Sequence, residues 1–248
     1  MRFSYSMLSR FLDCPFSYKR IYIDKAETPD NISAVFGIVV HKTIHTGYSH
    51  KLEKADWLKV FKRNWIIAVK SRDALFATQE EFVSLLKEGQ YMLSKFYDKY
   101  VKDVPFPIAT EHRFNNITLG NHTLVGIIDA ITHDNEVIDF KTGKYIPKSL
   151  ELSLDLQFTV YSYAFRQLYN KDEKALVLLN LRSNKKYLTY RTDSDYQVLE
   201  TILDGVEIET SHKNFYKRPG RHCEWCPFMS ECWGRISPRQ SMWSKSFK

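Results

Sequence analysis

The chain has 248 residues, of which 44% are apolar and 15% aromatic, enough for one sizeable core with a small appended lobe or for two small domains. Its 36 basic residues against 29 acidic ones give a formal net charge of +7, a surplus that suits a polyanionic partner, nucleic acid first. No apolar run approaches the roughly 20 residues of a membrane span, and Met1 to Arg20 lacks the apolar stretch of a signal peptide, so a cytoplasmic, non-membrane protein is expected.

Tyr5 to Tyr22 mixes aromatic and basic residues and predicts helix broken near Pro15. A second helix is expected from about Ala34 to Tyr48, with Val35, Phe36, Val39, Val40 and Ile44 apolar. Trp57, Val60, Phe61 and Trp65 suggest a third. Thr78 and Glu81 have capping-box spacing, and the stripe Phe82, Leu85, Leu86, Leu93, Phe96, Tyr97 and Tyr100 predicts a fourth. Val104-Pro105-Phe106-Pro107 breaks it. From Ile108 to Lys141 the residues favour strands, with turn chemistry at Asn115-Asn116, Gly120-Asn121 and Asp134-Asn135.

A helix over Asp155 to Tyr169 follows, then strands at Leu176 to Leu181 and Tyr187 to Arg191. Asp193 is the expected N-cap of a last helix with Val198, Leu199, Ile202, Leu203 and Val206 on its inner face. The final forty or so residues, rich in Cys, Trp, Pro and basic groups, read as a small lobe, with a mobile tail after Ser237. This order implies an α/β fold with a mixed sheet flanked by helices. The expected organisation is an N-terminal segment 1–30, a core 31–210 with a helical insertion at about 50–103, and a C-terminal lobe 211–248.

One strand pair carries chemistry. Gly126-Ile127-Ile128-Asp129 and Val137-Ile138-Asp139-Phe140-Lys141 would be joined by the loop His133-Asp134-Asn135. That register sets Asp129 opposite Asp139 and puts both on one face with Lys141. Opposed residues have Cβ atoms about 4.5–5.5 Å apart. Carboxylates that close repel, and a hard divalent cation such as Mg²⁺ relieves the repulsion through oxygen ligands. Ile127, Ile131 and Val137 share that face, which argues against a merely solvated acidic hairpin.

The four cysteines form a second constellation. Cys223, Cys226 and Cys232 are clustered, and Cys14 lies about two hundred residues upstream. In a reducing compartment such thiols are metal ligands before they are disulfides. Spacing leaves Zn²⁺ and a 4Fe–4S cluster open, with His222 an alternative ligand for zinc. Close by, Lys213-Asn214-Phe215-Tyr216-Lys217-Arg218-Pro219-Gly220-Arg221 interleaves basic and aromatic residues. Such a stretch can follow phosphates and stack bases, and Lys217, Arg218 and Arg221 are its candidate DNA contacts.

The Gly-x-x-Asp and Asp-x-Lys elements together resemble the signature of the PD-(D/E)XK nucleases. Gly37-Ile38-Val39-Val40-His41, Glu111 and Gln157-Phe158-Thr159-Val160-Tyr161 narrow the resemblance to the RecB-like exonuclease branch. Ile128 stands where the superfamily's name has proline. The resemblance implies a restriction-endonuclease-like core. It implies His41, Asp129, Asp139 and the Phe140 backbone carbonyl as ligands of Mg²⁺ or Mn²⁺. Lys141 would position the attacking water or stabilise the transition state, with Glu111 assisting. Gln157 and Tyr161, one helical turn apart, would support the site and touch DNA. His45, also one turn from His41, is a decoy ligand.

The cysteine pattern is similar to that of iron–sulfur members, the AddB-type nuclease domain and the CRISPR-associated RecB-like exonucleases. This implies a 4Fe–4S lobe joining the N- and C-terminal segments. The implied activity is a DNA exonuclease acting on single-strand ends, commonly 5′-to-3′, in recombination, repair or CRISPR adaptation. Its host would be a bacterium, an archaeon or a virus-infected cell, and recombination or CRISPR integration proteins would be partners. The competing expectation is a DNA- or partner-binding subunit whose cluster is purely structural.

Overall fold

A computed structural model describes residues 1–70, 79–102 and 107–235. The expected cap at Thr78, the break at Val104 to Phe106 and the tail after Ser237 lie outside the described residues. Two compact units emerge, and the division cuts two strands. One comprises Met1–Pro29, Asn115–Val125 and Asp193–Lys248; the other comprises Asp30–Phe114 and Gly126–Thr192.

The larger unit opens with three long helices, α3 (Ile32–Ser49), α4 (Lys54–Lys70) and α5 (Gln79–Tyr100). Asn31 starts α3, its Oδ1 accepting the Ser33 N–H at 2.9 Å. Val35, Phe36, Val39, Val40 and Ile44 are buried, as their spacing predicts. They share a core with Trp57, Phe61 and Trp65 of α4 and with Met92, Leu93, Phe96 and Tyr97 of α5. Full burial of each large side chain stabilises the fold by roughly 1.5–3 kcal/mol.

Those helices lie in the same core as one face of a sheet, through Ala130, Ile138, Phe140, Val177 and Leu179. The strands are β2 (Ala109–Leu119), β3 (His122–Ile131), β4 (Glu136–Lys141), β5 (Ala175–Asn180) and β6 (Lys185–Thr189). Their order is β3-β4-β5-β6, and β2 pairs with β3. Strands β4 and β5 are parallel, from Glu136 opposite Ala175 to Lys141 opposite Asn180. A parallel pair needs a long crossover, which here carries α6 (Ser149–Ser153) and α7 (Leu156–Tyr169). Strand β5 is buried throughout, which accounts for its unbroken apolar run.

In the smaller unit, Arg2–Ser4 form β1, parallel to Thr123–Val125 of β3. Ser4 caps α1 (Tyr5–Asp13) by accepting the Met7 N–H at 3.2 Å. The helix stops at Cys14, whose extended backbone suits the residue before Pro15, and α2 (Pro15–Tyr18) follows. Helix α8 (Asp193–Ser211) buries Tyr196, Leu199, Leu203 and Val206. A short C-terminal helix, α9, spans Met229–Trp233.

Three expectations need correction. Asn115-Asn116 is not a turn: β2 runs through it, anchored by buried Phe114, Ile117 and Leu119, and packing overrides local turn propensity. The β2–β3 turn falls at Gly120-Asn121 as expected, with Gly120 at φ +54°. Val198 is 55% exposed, because the buried stripe of α8 runs through Tyr196 rather than Val198. Asp193 is the first residue of α8 rather than the residue before it.

Candidate active site

The acidic hairpin is as its sequence predicts. Ala130 pairs with Ile138 and Ile131 with Val137, and continuing this register sets Asp129 across from Asp139. The turn is tight. Thr132 N–H donates to the Glu136 carbonyl at 3.0 Å, and Asn135 sits in the left-handed region at φ +62°. The strands part at the acids. There the Phe140 N–H donates to Asp129 Oδ2 at 2.8 Å. A carboxylate thus replaces a strand carbonyl in the ladder, and this fixes one end of the Asp129 side chain.

The other oxygen of Asp129 faces α3. His41 Nδ1 and Asp129 Oδ1 share a 3.2 Å hydrogen bond. Two glycines relieve close contacts around this pair. A Cβ on Gly37 would lie 3.3 Å from Thr142 Oγ1, just past the end of β4. A Cβ on Gly126 would lie 2.6 Å from Phe114 Cζ, so the bare backbone there makes room for that ring. The Gly-x-x-x-His and Gly-x-x-Asp elements therefore have steric reasons.

Asp139 is 2% exposed. Its Oδ1 accepts a hydrogen bond from Gln157 Nε2 at 2.8 Å. Its Oδ2 lies 2.8 Å from Lys141 Nζ but outside hydrogen-bond alignment, so it has a neighbouring charge and no directed donor. Gln157 reaches all three remaining parts of the site. Its Oε1 accepts from Lys141 Nζ at 2.8 Å, and its Nε2 also donates to Tyr161 Oη at 2.9 Å. The Asp155 carboxylate caps α7 through the Gln157 N–H at 2.8 Å, which sets where Gln157 begins.

Burial pushes the Asp139 carboxyl up to about 6; Lys141 pulls it down and Asp129 raises it further. Burial pulls the Lys141 ammonium down, but the charges of Asp139, Asp129 and Asp155 outweigh that and hold it above the ordinary lysine range. The His41 imidazole behaves alike: burial lowers it, and the Asp129 hydrogen bond and charge, with Asp139 behind, leave it raised. The centre is thus an acid–acid–cation–imidazole cluster in which Asp139 is buried and Asp129, Lys141 and His41 are half-buried around it.

Glu111 stands on β2 at φ +47°, a conformation unusual for a side-chain-bearing residue, and its carboxylate makes no hydrogen bond or ion pair among the described residues. His45 Nδ1 is 2.7 Å from Thr110 Oγ1, so it is engaged with β2 rather than with the acids. Tyr161 is buried and meets Phe114 edge-on. Sequence reasoning missed the Phe140 N–H contact and the double grip of Gln157. The capping spacing Asp155-Leu156-Gln157 marks only where α7 starts, and no local signal shows what the Gln157 amide holds.

Among the described residues, no group of three or more His, Cys, Asp or Glu side chains is arranged to hold a metal ion. The donor chemistry nevertheless suits a hard divalent cation. Two carboxylates and an imidazole converge, and a buried carboxylate oxygen lacks a directed donor. A cation would relieve the mutual repulsion that helps raise Asp139.

The four cysteines all lie in the smaller unit as free thiols, Cys14 and Cys226 buried. Burial pushes the Cys226 thiol up, and the charges of Cys14 and Cys223 push it further. Cys232 is raised by burial and by Cys14, Cys226 and Cys223, with Lys217 opposing. Thiol donors of this kind are the chemistry of thiophilic metals and clusters, although the described residues hold no group arranged as a metal site.

Direct bonds also tie these segments together. Phe16 N–H donates to the Tyr216 carbonyl at 3.1 Å, and Lys217 Nζ to the Cys232 carbonyl at 2.8 Å. Arg218 donates to the Leu12 carbonyl, while Arg221 is exposed on a short 3₁₀ turn. Lys217 and Arg218 are therefore engaged within their own unit.

No helix among the described residues is long and apolar enough to cross a membrane. The sequence matches no curated protein. Among solved structures, a protein of Eubacterium rectale described as "Putative exonuclease" aligns with TM-score 0.56 and 16% identity, over 94% of this chain and 88% of that one. A second, described as SSO0001, aligns over 93% of this chain and 96% of that one, at 14% identity and TM-score 0.35. The first shows likeness of fold. The family model for the PD-(D/E)XK nuclease superfamily matches residues 2–233, which take in the acidic hairpin, His41, Lys141 and Gln157, and the chain belongs to that superfamily.

Proposed function

We propose that this nuclease hydrolyses phosphodiester bonds of DNA with Mg²⁺ or Mn²⁺, removing nucleotides from the ends of single strands. The observation that carries the reading is the hold of Gln157 on both Asp139 and Lys141, with Asp129 and His41 across the hairpin. Asp129, Asp139, His41 and the Phe140 carbonyl would hold the cation, which supplies Lewis-acid charge to a phosphate and to water.

The protein's own groups do the rest. Lys141 stays protonated at neutral pH because the surrounding carboxylates hold its pKa up, so it offers fixed positive charge to a developing anion. Gln157 keeps that ammonium in place. Asp129 is fixed by the Phe140 N–H at one oxygen and by His41 at the other, which limits reorganisation. Glu111 assists from β2.

The placement in the RecB-like iron–sulfur branch rests on the cysteine pattern and on all four thiols lying in the smaller unit. A 4Fe–4S cluster on Cys14, Cys223, Cys226 and Cys232 would add a covalent tie between chain segments already joined by hydrogen bonds. Arg221 is left as the freest DNA contact of the 213–221 stretch. By resemblance the polarity is 5′-to-3′, and the role is in recombination, repair or CRISPR adaptation. The test is digestion of single-stranded DNA labelled at the 5′ or 3′ end, with Mg²⁺ or Mn²⁺. Stepwise release of nucleotides supports the reading; intact DNA with either metal contradicts it.

A further inference from the structure

Apart from Asp155, the segment between Lys141 and Gln157 takes no part in the site, yet the site holds both its ends. Lys141 Nζ and Gln157 Oε1 are bonded at 2.8 Å, so residues 142–156 form a closed lip rooted on the two groups that flank Asp139. The roots are pinned. Asn180 Nδ2 donates to the Gly143 carbonyl at 3.0 Å, and Arg182 Nε donates to the Thr142 carbonyl. At the other root, buried Arg191 donates to the carbonyls of Leu152 and Asp155, at 3.1 and 2.8 Å.

Between the roots the lip is unusually apolar for exposed chain. Tyr145 is 67% exposed, Leu150 69% and Leu154 66%, and Ile146 is also exposed. Leu150 and Leu154 are one helical turn apart. The Tyr145 hydroxyl donates to Glu151 Oε2, which also accepts the Lys148 N–H at 2.9 Å. The ring is thus held while most of the residue stays in solvent.

The charges point to the occupant. Lys144 and Lys148 flank this ring, are exposed, and have no ion-pair partner among the described residues. Both acids of the lip are engaged, Glu151 as just described and Asp155 as the cap of α7. The lip therefore carries two cations without an ion-pair partner, on either side of a held aromatic ring in sequence, and its one exposed carboxylate, Glu151, is occupied by hydrogen bonds. A hydrophobic protein partner would not call for that charge balance. A single strand would, because its bases stack on rings and its phosphates seek lysines.

We propose that residues 144–154 are a substrate platform on which an unpaired base stacks on Tyr145 while Lys144 and Lys148 hold adjacent phosphates. The inference rests on the nuclease reading and supplies it with a strand-binding surface beside Lys141.

The test is fluorescence anisotropy of a labelled oligothymidylate with the full-length protein in EDTA, across a salt series. Melting temperature reports folding of each variant. Tyr145→Leu weakens binding about 5- to 150-fold, the loss of one stacked base, and Tyr145→Trp restores it. Lys144→Ala with Lys148→Ala lowers the slope of log affinity against log salt by about 1.4. If the unsubstituted protein binds and cuts the oligonucleotide but both sets of variants bind equally well, the platform is wrong and the nuclease reading stands. If the unsubstituted protein neither binds nor cuts single-stranded DNA, both fall. If Leu150→Ser with Leu154→Ser alters oligomeric state and leaves DNA affinity unchanged, the lip is a protein interface and the proposal is overturned.

Discussion

Gln157 on helix α7 donates through Nε2 to Asp139 Oδ1 at 2.8 Å, from across the parallel crossover that separates them in sequence. Its other amide atom accepts from Lys141, so one side chain sets the spacing of the acid and the cation. Gln157→Leu is close in size and makes neither bond. It should lower kcat on single-stranded DNA by roughly 10- to 100-fold, the usual consequence of losing a group that orients a ligand. The melting temperature should fall modestly, because the buried Asp139 carboxylate loses its directed hydrogen-bond donor, and circular dichroism confirms that the variant stays folded. Steady-state kinetics check this; unchanged kcat in a folded variant contradicts the assigned role.

Burial of Asp139 has a signature in stability. Its carboxyl is raised from 3.8 to about 6 in the folded chain. A raised carboxyl favours folding while protonated, so that contribution is complete below about pH 4 and is lost as pH rises through about 6. A shift of this size corresponds to up to about 3 kcal/mol. Asp139→Asn carries no such titration. In EDTA, the stability of the unsubstituted protein minus that of Asp139→Asn should fall between about pH 4 and pH 7. Mg²⁺ should restore part of it at pH 7. Denaturant titrations at several pH values measure the difference; a flat difference contradicts a carboxylate whose burial outweighs the compensation from Lys141.

Gly126 tests the steric reading of the hairpin. A Cβ there would lie 2.6 Å from Phe114 Cζ. Gly126→Ala should cost about 1–3 kcal/mol, the range for overpacking a filled site. Phe114→Leu in the same chain should recover part of the loss. Thermal melts of the single and double variants decide it; additive destabilisation contradicts the contact.

The cysteines make a prediction separate from hydrolysis. Anaerobically purified protein should be brown and carry iron, and Cys14→Ser should lose both. Its melting temperature should fall by several degrees, because a metal that binds only the folded site adds its binding energy to stability. Helix content should largely persist, since Phe16, Lys217 and Arg218 still tie the segments together. Metal analysis and visible absorbance check this; colourless protein with stoichiometric zinc contradicts the cluster.

The parts of this structure readable from sequence were the local ones. Alternating burial and a three-residue turn fixed the Asp129–Asp139 register, and helical spacing located the buried stripe of α3. The rest depended on contacts distant in sequence. Strand β1 is three residues long, too short for a periodic signal, and forms through its parallel pairing with β3. The grip of Gln157 depends on a crossover that no local pattern specifies. Basic residues near the cysteines read as DNA contacts because sequence shows charge but not its partner. Lys217 and Arg218 donate to the carbonyls of Cys232 and Leu12 instead. The exposed apolar lip after Lys141 gave no sequence signal, because apolar residues are expected inside.

The most direct measurement of the central claim compares the unsubstituted protein with Asp139→Ala and Lys141→Ala on end-labelled single-stranded DNA in Mg²⁺ or Mn²⁺. Circular dichroism confirms that each variant is folded. The account predicts metal-dependent digestion by the unsubstituted protein and its loss, by at least about a thousandfold, in each folded variant. Full activity in both variants would contradict the assignment of the Asp139–Lys141 pair as the catalytic centre.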